Sequence, residues 1–171
     1  MENLKKIVQV IEAITNVLSG HLQAWLIFGL MVMLLIEVLT RYLLQSPLSL
    51  AEELGGYMLV AITFMGLAYT WKEKGHVRVE LLISRFPEKA RQRIRFITLI
   101  AATIFTIPLI KACYDLLLDS ILFSSRSGGW LRTPLVYPQT ILIIGAVLLF
   151  LQLLAEIIKA IMAFKKPKGE N

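Results

Sequence analysis

The sequence predicts an all-α integral membrane protein with four transmembrane helices and amphipathic interfacial helical segments. The hydrophobic fraction is 57% and the mean hydropathy is +0.70, both above the values of an ordinary soluble domain. The apolar residues also come in long uncharged runs, at residues 13–36, 54–71, 96–110 and 133–155. A helix needs about 20 mainly apolar residues to cross the hydrocarbon core of a bilayer. We therefore expect one membrane domain over residues 1–171, with spans at 20–44, 51–72, 91–122 and 136–163.

Apolar residues recur at helical spacing before the first span, over residues 3–18, with polar residues between them. This pattern predicts an amphipathic helix, and two placements of it stay open. It lies flat in the membrane interface, or it extends the first span beyond the bilayer. A cleaved signal peptide is not expected, because the apolar run is too long and lacks a small-residue cleavage site.

Four ionisable residues flank the turn between the first two spans: Glu37, Arg41, Glu52 and Glu53. Glu37 and Arg41 stand four apart, so they share one face of a helix and can pair. Pro47 marks the turn itself, because proline is poorly tolerated inside a helix. Charges at membrane depth are costly unless they are paired. We therefore expect a cluster in which Arg41 is shared among the three glutamates.

Small residues form a stripe along the second span, at Gly56, Thr63, Gly66 and Thr70, which predicts close packing of another helix.

The segment that follows, residues 72–95, holds eight Lys or Arg against three Glu, as a solvated loop facing lipid headgroups does. The third helix, at about residues 88–124, is longer than a bilayer requires, and Pro108 predicts a kink in it. The Gly- and Ser-rich segment 124–135 predicts a flexible loop.

Charge and cysteine content narrow the possible partners. The lone Cys113 excludes an internal disulfide and a multi-cysteine metal site, and no cofactor is expected. The net charge of +6 comes from basic residues at segment ends, which indicates that they orient the chain in the membrane and do not bind nucleic acid.

The distribution of basic residues predicts the orientation. Both termini and residues 72–95 together hold fourteen Lys or Arg. We therefore expect them in the cytoplasm, and the loop 124–135 on the outer face.

With these residues in view, the chain resembles the DctQ-like small membrane subunit of TRAP (tripartite ATP-independent periplasmic) transporters. The matching segments cover Glu37 to Tyr42, Pro47-Leu48 with Glu52-Glu53, Gly66 to Ala68, and Gly75 to Leu82 leading into Phe86-Pro87. Leu50 departs from the family pattern, in which many members have Trp. The four-span layout extends the likeness over essentially the whole chain.

This resemblance implies an accessory subunit in the bacterial inner membrane, not an enzyme. It would brace a large multi-span membrane subunit that binds substrate and sodium, and a periplasmic binding protein would deliver an organic acid such as a C4-dicarboxylate or a sialic acid. The Glu37, Arg41, Glu52 and Glu53 cluster would join the first two spans or pair with the large subunit. His76 and Arg78 would set the inner loop. Arg126, Trp130 and Arg132 would touch the binding protein, unless they lie on an ordinary mobile loop.

Two other classes of function are alternatives to the accessory subunit. A four-span proton-coupled exporter would act as a homodimer through Glu37, although Arg41 one turn away favours a permanently ionised carboxylate. A haem-carrying membrane oxidoreductase would need paired histidines inside the bundle. His21 lies near a membrane boundary and His76 lies in a loop, so the haem interpretation is disfavoured.

Overall fold

A computed structural model describes residues 2–45, 49–73 and 87–164 of the chain. The helices in chain order are α1 (Glu2–Thr15), a π-helical segment (Asn16–His21), α2 (Leu22–Leu43), α3 (Ser49–Lys72), α4 (Glu88–Leu122) and α5 (Val136–Phe164). No strand occurs in the described residues, so the predicted all-α class is confirmed. Four helical stretches are long and apolar enough to cross a membrane: Lys5–Leu43, Leu50–Lys72, Ala90–Leu122 and Val136–Met162.

The first of these stretches has no break between α1 and α2. The two helices join through the π-helical segment, where the Leu22 N–H donates to the Val17 carbonyl, five residues earlier. The continuous helix agrees with the second of the two placements left open by the sequence, in which residues 3–18 extend the first span. The position of α1 relative to the bilayer surface stays a prediction.

The bundle is organised around α5, which packs against α1, α3 and α4. Small residues dominate these contacts, and Ala68, Ala146 and Ala155 are completely buried. Small side chains let helix backbones approach closely in a membrane. By contrast, α2 packs mainly on α3 and leaves most of its apolar surface exposed.

A close helix crossing lies between Gly145 on α5 and Phe64 on α3. A Cβ atom added at Gly145 would stand 2.6 Å from the Phe64 carbonyl carbon and oxygen. The stripe predicted on α3 is occupied only in part within this chain. Gly66 gives room to the Gln23 side chain, which donates to the Ile62 carbonyl at 3.3 Å, whereas a Cβ at Gly56 would meet nothing within 4 Å.

The two ends of the bundle carry different groups. We call the end with residues 41–45, 49–53 and 123–135 the loop end, and the end with residues 12–21, 72, 95 and 156–159 the terminal end. The long helix α4 joins them in one piece through Pro108, and its 35 residues span about 52 Å at 1.5 Å rise per residue. The kink expected at Pro108 stays a prediction.

Candidate functional site

Arg41 and Glu37 form the first polar contact at the loop end. The Arg41 Nε donates to Glu37 Oε1 at 2.8 Å, and its Nη2 contacts the same oxygen. The same Nη2 lies 3.9 Å from Glu52 Oε1 on α3, so the guanidinium bridges the two helices. Glu37 is only 8% exposed. A carboxylate buried to this degree needs a cation beside it, and Arg41 supplies one.

Glu53 does not join this cluster, so the expectation that Arg41 is shared with it is wrong. Its carboxylate instead accepts from the backbone N–H of Leu131 at 3.1 Å and of Thr133 at 3.3 Å, and from the Tyr57 hydroxyl at 3.0 Å. The reason is helical geometry. Consecutive residues point about 100° apart around an α-helix, so Glu52 and Glu53 cannot both face α2.

The loop that Glu53 holds is ordered by its own backbone, where the sequence predicted a flexible segment. The Ser127 N–H donates to the Thr133 carbonyl at 2.9 Å, and the Leu135 N–H donates to the Ser125 carbonyl at 3.1 Å. An isolated antiparallel bridge pairs Arg126 with Pro134. The loop is therefore closed across its base and fastened at its tip to α3.

Gly129 makes that fastening sterically feasible. A Cβ at this position would overlap the Glu53 carboxylate. Arg132 also adopts a left-handed backbone, with φ of 46°, which is uncommon for a residue other than glycine. Strained backbone of this kind persists only where the surroundings hold it in place.

The predicted contact residues of the loop lie on its surface. Trp130 is 79% exposed, and Arg126 and Arg132 are also exposed. The structure therefore presents an aromatic ring and two guanidinium groups on one fixed loop. This combination suits an acidic protein surface, since arginine pairs with carboxylates and stacks on aromatic rings. Their role stays a prediction.

A second ionic network, at the terminal end, was missed by sequence reasoning. Lys159 on α5 donates to Glu156 Oε1 at 2.8 Å and contacts Glu12 on α1. The Arg95 Nη2 on α4 donates to the other Glu156 oxygen at 3.0 Å. The one signal in the sequence was Glu156, a carboxylate directly after the last uncharged run with Lys159 three positions later.

A buried hydrogen bond lies next to this network. The Thr15 hydroxyl donates to Gln152 Oε1 at 3.1 Å, and both residues are fully buried. Thr15 and Glu12 are one turn apart on α1, so both contacts fix the same helix against α5. The terminal end thus ties α1, α4 and α5 together with two carboxylates and two cations.

His76 and Arg78, the residues expected to set the inner loop, lie outside the described residues. Within residues 2–45, 49–73 and 87–164, no group of three or more His, Cys, Asp or Glu side chains could hold a metal ion. The arrangement that is described joins helices to one another and fastens a surface loop. These contacts hold the helices and the loop in fixed positions relative to one another.

Sequence comparison identifies the family. Residues 30–163, well over half of the chain, match the family described as tripartite ATP-independent periplasmic transporters, DctQ component. A Haemophilus influenzae protein whose assigned name is that of a TRAP transporter small permease is 30% identical over 67 residues. That alignment covers 39% of this chain and 42% of the relative. The chain is therefore a multi-pass membrane protein that belongs to the DctQ family, the small membrane component of TRAP transporters.

Proposed function

We propose that this chain is the scaffold subunit of a sodium-coupled, binding-protein-dependent TRAP transporter that imports an organic acid across the bacterial inner membrane. The substrate class would be a small carboxylate, such as a C4-dicarboxylate or a sialic acid. The main support for the proposal is that the buried carboxylates of the chain are paired with its own cations. Glu37 and Glu156 are each held by cations of the same chain. Arg41 also lies near Glu52 on α3, and Arg95 on α4 pairs with Glu156 on α5, so both sites join helices.

The exposed face of α2 supports pairing with a large multi-span subunit. Apolar side chains on this helix, among them Phe28, Met31, Leu35 and Leu39, are each about half exposed. A helix that buries so little against its own chain has its remaining surface free for lipid or for another helix. The Arg41 guanidinium is half-exposed near the end of α2, on the face that meets α3.

The loop at residues 124–135 supports a contact with the periplasmic binding protein. Its backbone is closed and its tip is held by Glu53, so Arg126, Trp130 and Arg132 are presented without a large entropic cost on binding. The positive-inside rule puts both termini in the cytoplasm and this loop in the periplasm. The proposed partner surface is acidic.

Co-purification tests the main proposal. The tagged chain is expressed with its neighbouring genes, solubilised in mild detergent and purified, and the complex is reconstituted for uptake assays with and without a sodium gradient. We expect a stoichiometric complex with a large multi-span protein and sodium-driven, binding-protein-dependent uptake of a carboxylate. A homodimer without a large partner, conferring export when expressed alone, would overturn the proposal in favour of the Glu37-dependent exporter.

Charge reversal tests the docking role separately. The double variant Arg126→Glu/Arg132→Glu should weaken uptake that depends on the binding protein, while the complex with the large subunit still forms. Lys111→Glu is the matched control, because Lys111 is an exposed cation on α4 outside the loop. Unchanged uptake in the double variant would remove the loop from the docking surface and leave the scaffold role intact.

A further inference from the structure

A cleft of about 560 Å³ with charged and polar groups in its lining lies at the terminal end, where the π-helical segment faces the end of α3. It is lined by Asn16, Gly20, His21, Tyr69, Lys72 and Glu73. Gly20 shapes its floor, because a Cβ there would stand 3.1 Å from the Tyr69 ring. π-Helical segments interrupt regular helices at a cost, and they are frequently found at functional sites.

Lys72 gives the cleft a positive charge that no carboxylate neutralises among the described residues. Its ammonium donates to Asn16 Oδ1, a neutral acceptor, which leaves two of its three N–H groups for another ligand. The His21 Nδ1 donates to the Asn16 carbonyl at 3.1 Å, with Nε2 unused by that bond. Asn16 therefore contacts both His21 and Lys72 in the lining of the cleft.

Glu73 places a negative charge at the same opening. Its backbone N–H donates to the Tyr69 carbonyl at 2.9 Å, which keeps the residue on the last turn of α3. Within the described part of the chain, no cation forms an ion pair with its exposed carboxylate. The cleft thus carries separated charges of both signs.

Helix length predicts that the cleft lies at the depth of lipid headgroups. The 22 residues of α2 rise about 33 Å, which matches the hydrocarbon thickness of a bilayer. His21 directly precedes this helix and Lys72 ends α3, so we expect both at one membrane boundary. Beyond the cleft, α2 exposes Trp25 and Phe28, whose rings meet edge to face with centroids 6.2 Å apart. This surface suits an acyl chain below a bound headgroup.

We propose that the cleft binds a zwitterionic phospholipid whose headgroup amine carries N–H donors, phosphatidylethanolamine. The lipid phosphate accepts from Lys72, and the lipid ammonium donates to Glu73. Phosphatidylglycerol lacks the amine, and phosphatidylcholine carries a quaternary ammonium without N–H donors. This inference does not depend on the transported substrate.

Native mass spectrometry of the full chain in detergent tests the proposal with these three lipids. We expect phosphatidylethanolamine to bind about tenfold more tightly than phosphatidylglycerol, the change in affinity that one charge-assisted contact supplies. Lys72→Gln should weaken its binding by a similar factor. Glu73→Gln should remove the preference over phosphatidylglycerol. Because Glu73 is exposed, its variant tests the site even if Lys72→Gln fails to fold.

Lys111→Gln and Asp119→Asn are the matched controls, since both residues are exposed on α4 and lie outside the cleft. They should leave lipid binding unchanged. Equal binding of the three lipids, or losses in the controls as large as in the cleft variants, would overturn the proposal. Displacement of the lipid by water-soluble glycerophosphoethanolamine at equal concentration would also overturn it, because the ligand would then be a soluble phosphoester.

Discussion

Glu53 on α3 and Gly129 in the connecting loop approach so closely that a Cβ at position 129 would overlap the Glu53 carboxylate and force it to shift. The contact joins residues far apart in sequence and orders the loop around one carboxylate. The contact requires glycine at position 129 as well as a carboxylate at position 53.

Gly129→Ala should therefore release the loop. The added methyl displaces the Glu53 carboxylate, and the amides of Leu131 and Thr133 lose their acceptor. Hydrogen exchange at these two amides should become at least about tenfold faster, as for the loss of a hydrogen bond to a charged group. Gly128→Ala is the control, because a Cβ there meets nothing within 4 Å. Equal exchange in both variants would contradict the proposed fastening.

Gly145→Ala should destabilise the crossing of α3 and α5. The new Cβ would stand 2.6 Å from backbone atoms of Phe64, which cannot move aside as a flexible side chain does. Overpacking of this kind costs about 1–3 kcal/mol. Thermal unfolding in detergent measures the effect, and Gly56→Ala serves as the control in open space. An unchanged unfolding temperature for Gly145→Ala would show that the helices are less closely packed.

Removing the positive charge from Arg41 should leave Glu37 buried without the cation that it contacts. Arg41→Gln is expected to lower the unfolding free energy by about 1–3 kcal/mol. Glu37→Gln added to this variant should restore part of the loss, because the uncompensated charge is gone. Among the described residues, the exposed Glu52 makes the long contact to Arg41 and no other ion pair, so Glu52→Gln should change stability by less than about 0.5 kcal/mol.

The three-helix network predicts a measurable coupling between Glu12 and Lys159. In a double-mutant cycle with Glu12→Gln and Lys159→Met, the coupling energy from thermal unfolding should be about 0.5–3 kcal/mol. Lys111 and Asp115 provide the control cycle. They have the spacing of an ion pair on α4, but no such pair forms between them in the described structure. A coupling at Glu12 and Lys159 no larger than this control would contradict the network.

The features that could be predicted from sequence depend on short range or on composition. The four apolar stretches follow from their length, and the Glu37–Arg41 contact follows from the spacing of one helical turn. The placement of Glu53 could not be predicted in the same way, because it depends on where a loop 78 or 80 residues away returns to α3.

The ionic network at the terminal end could not be predicted from the sequence for the same reason. Glu12 and Lys159 are 147 positions apart, and Arg95 and Glu156 are 61 apart. Their meeting requires the order in which α1, α4 and α5 surround one another, and single-sequence periodicity carries no information on that order. The π-helical segment was also missed, because weak helix formers such as Asn16, Ser19 and Gly20 do not by themselves distinguish a π-helical turn from an α-helical one.

The charged contacts lie at the two ends of the bundle, with apolar packing between them, and this arrangement restricts sliding of one helix along another. A displacement by one turn, about 5.4 Å, would separate Arg95 from Glu156 and pull Glu53 away from its loop amides at the same time. Shear motions in proteins proceed where packed helices can exchange one set of contacts for another. Here a slide would have to break contacts at both ends at once, so the subunit should respond to lateral force as a single stiff body.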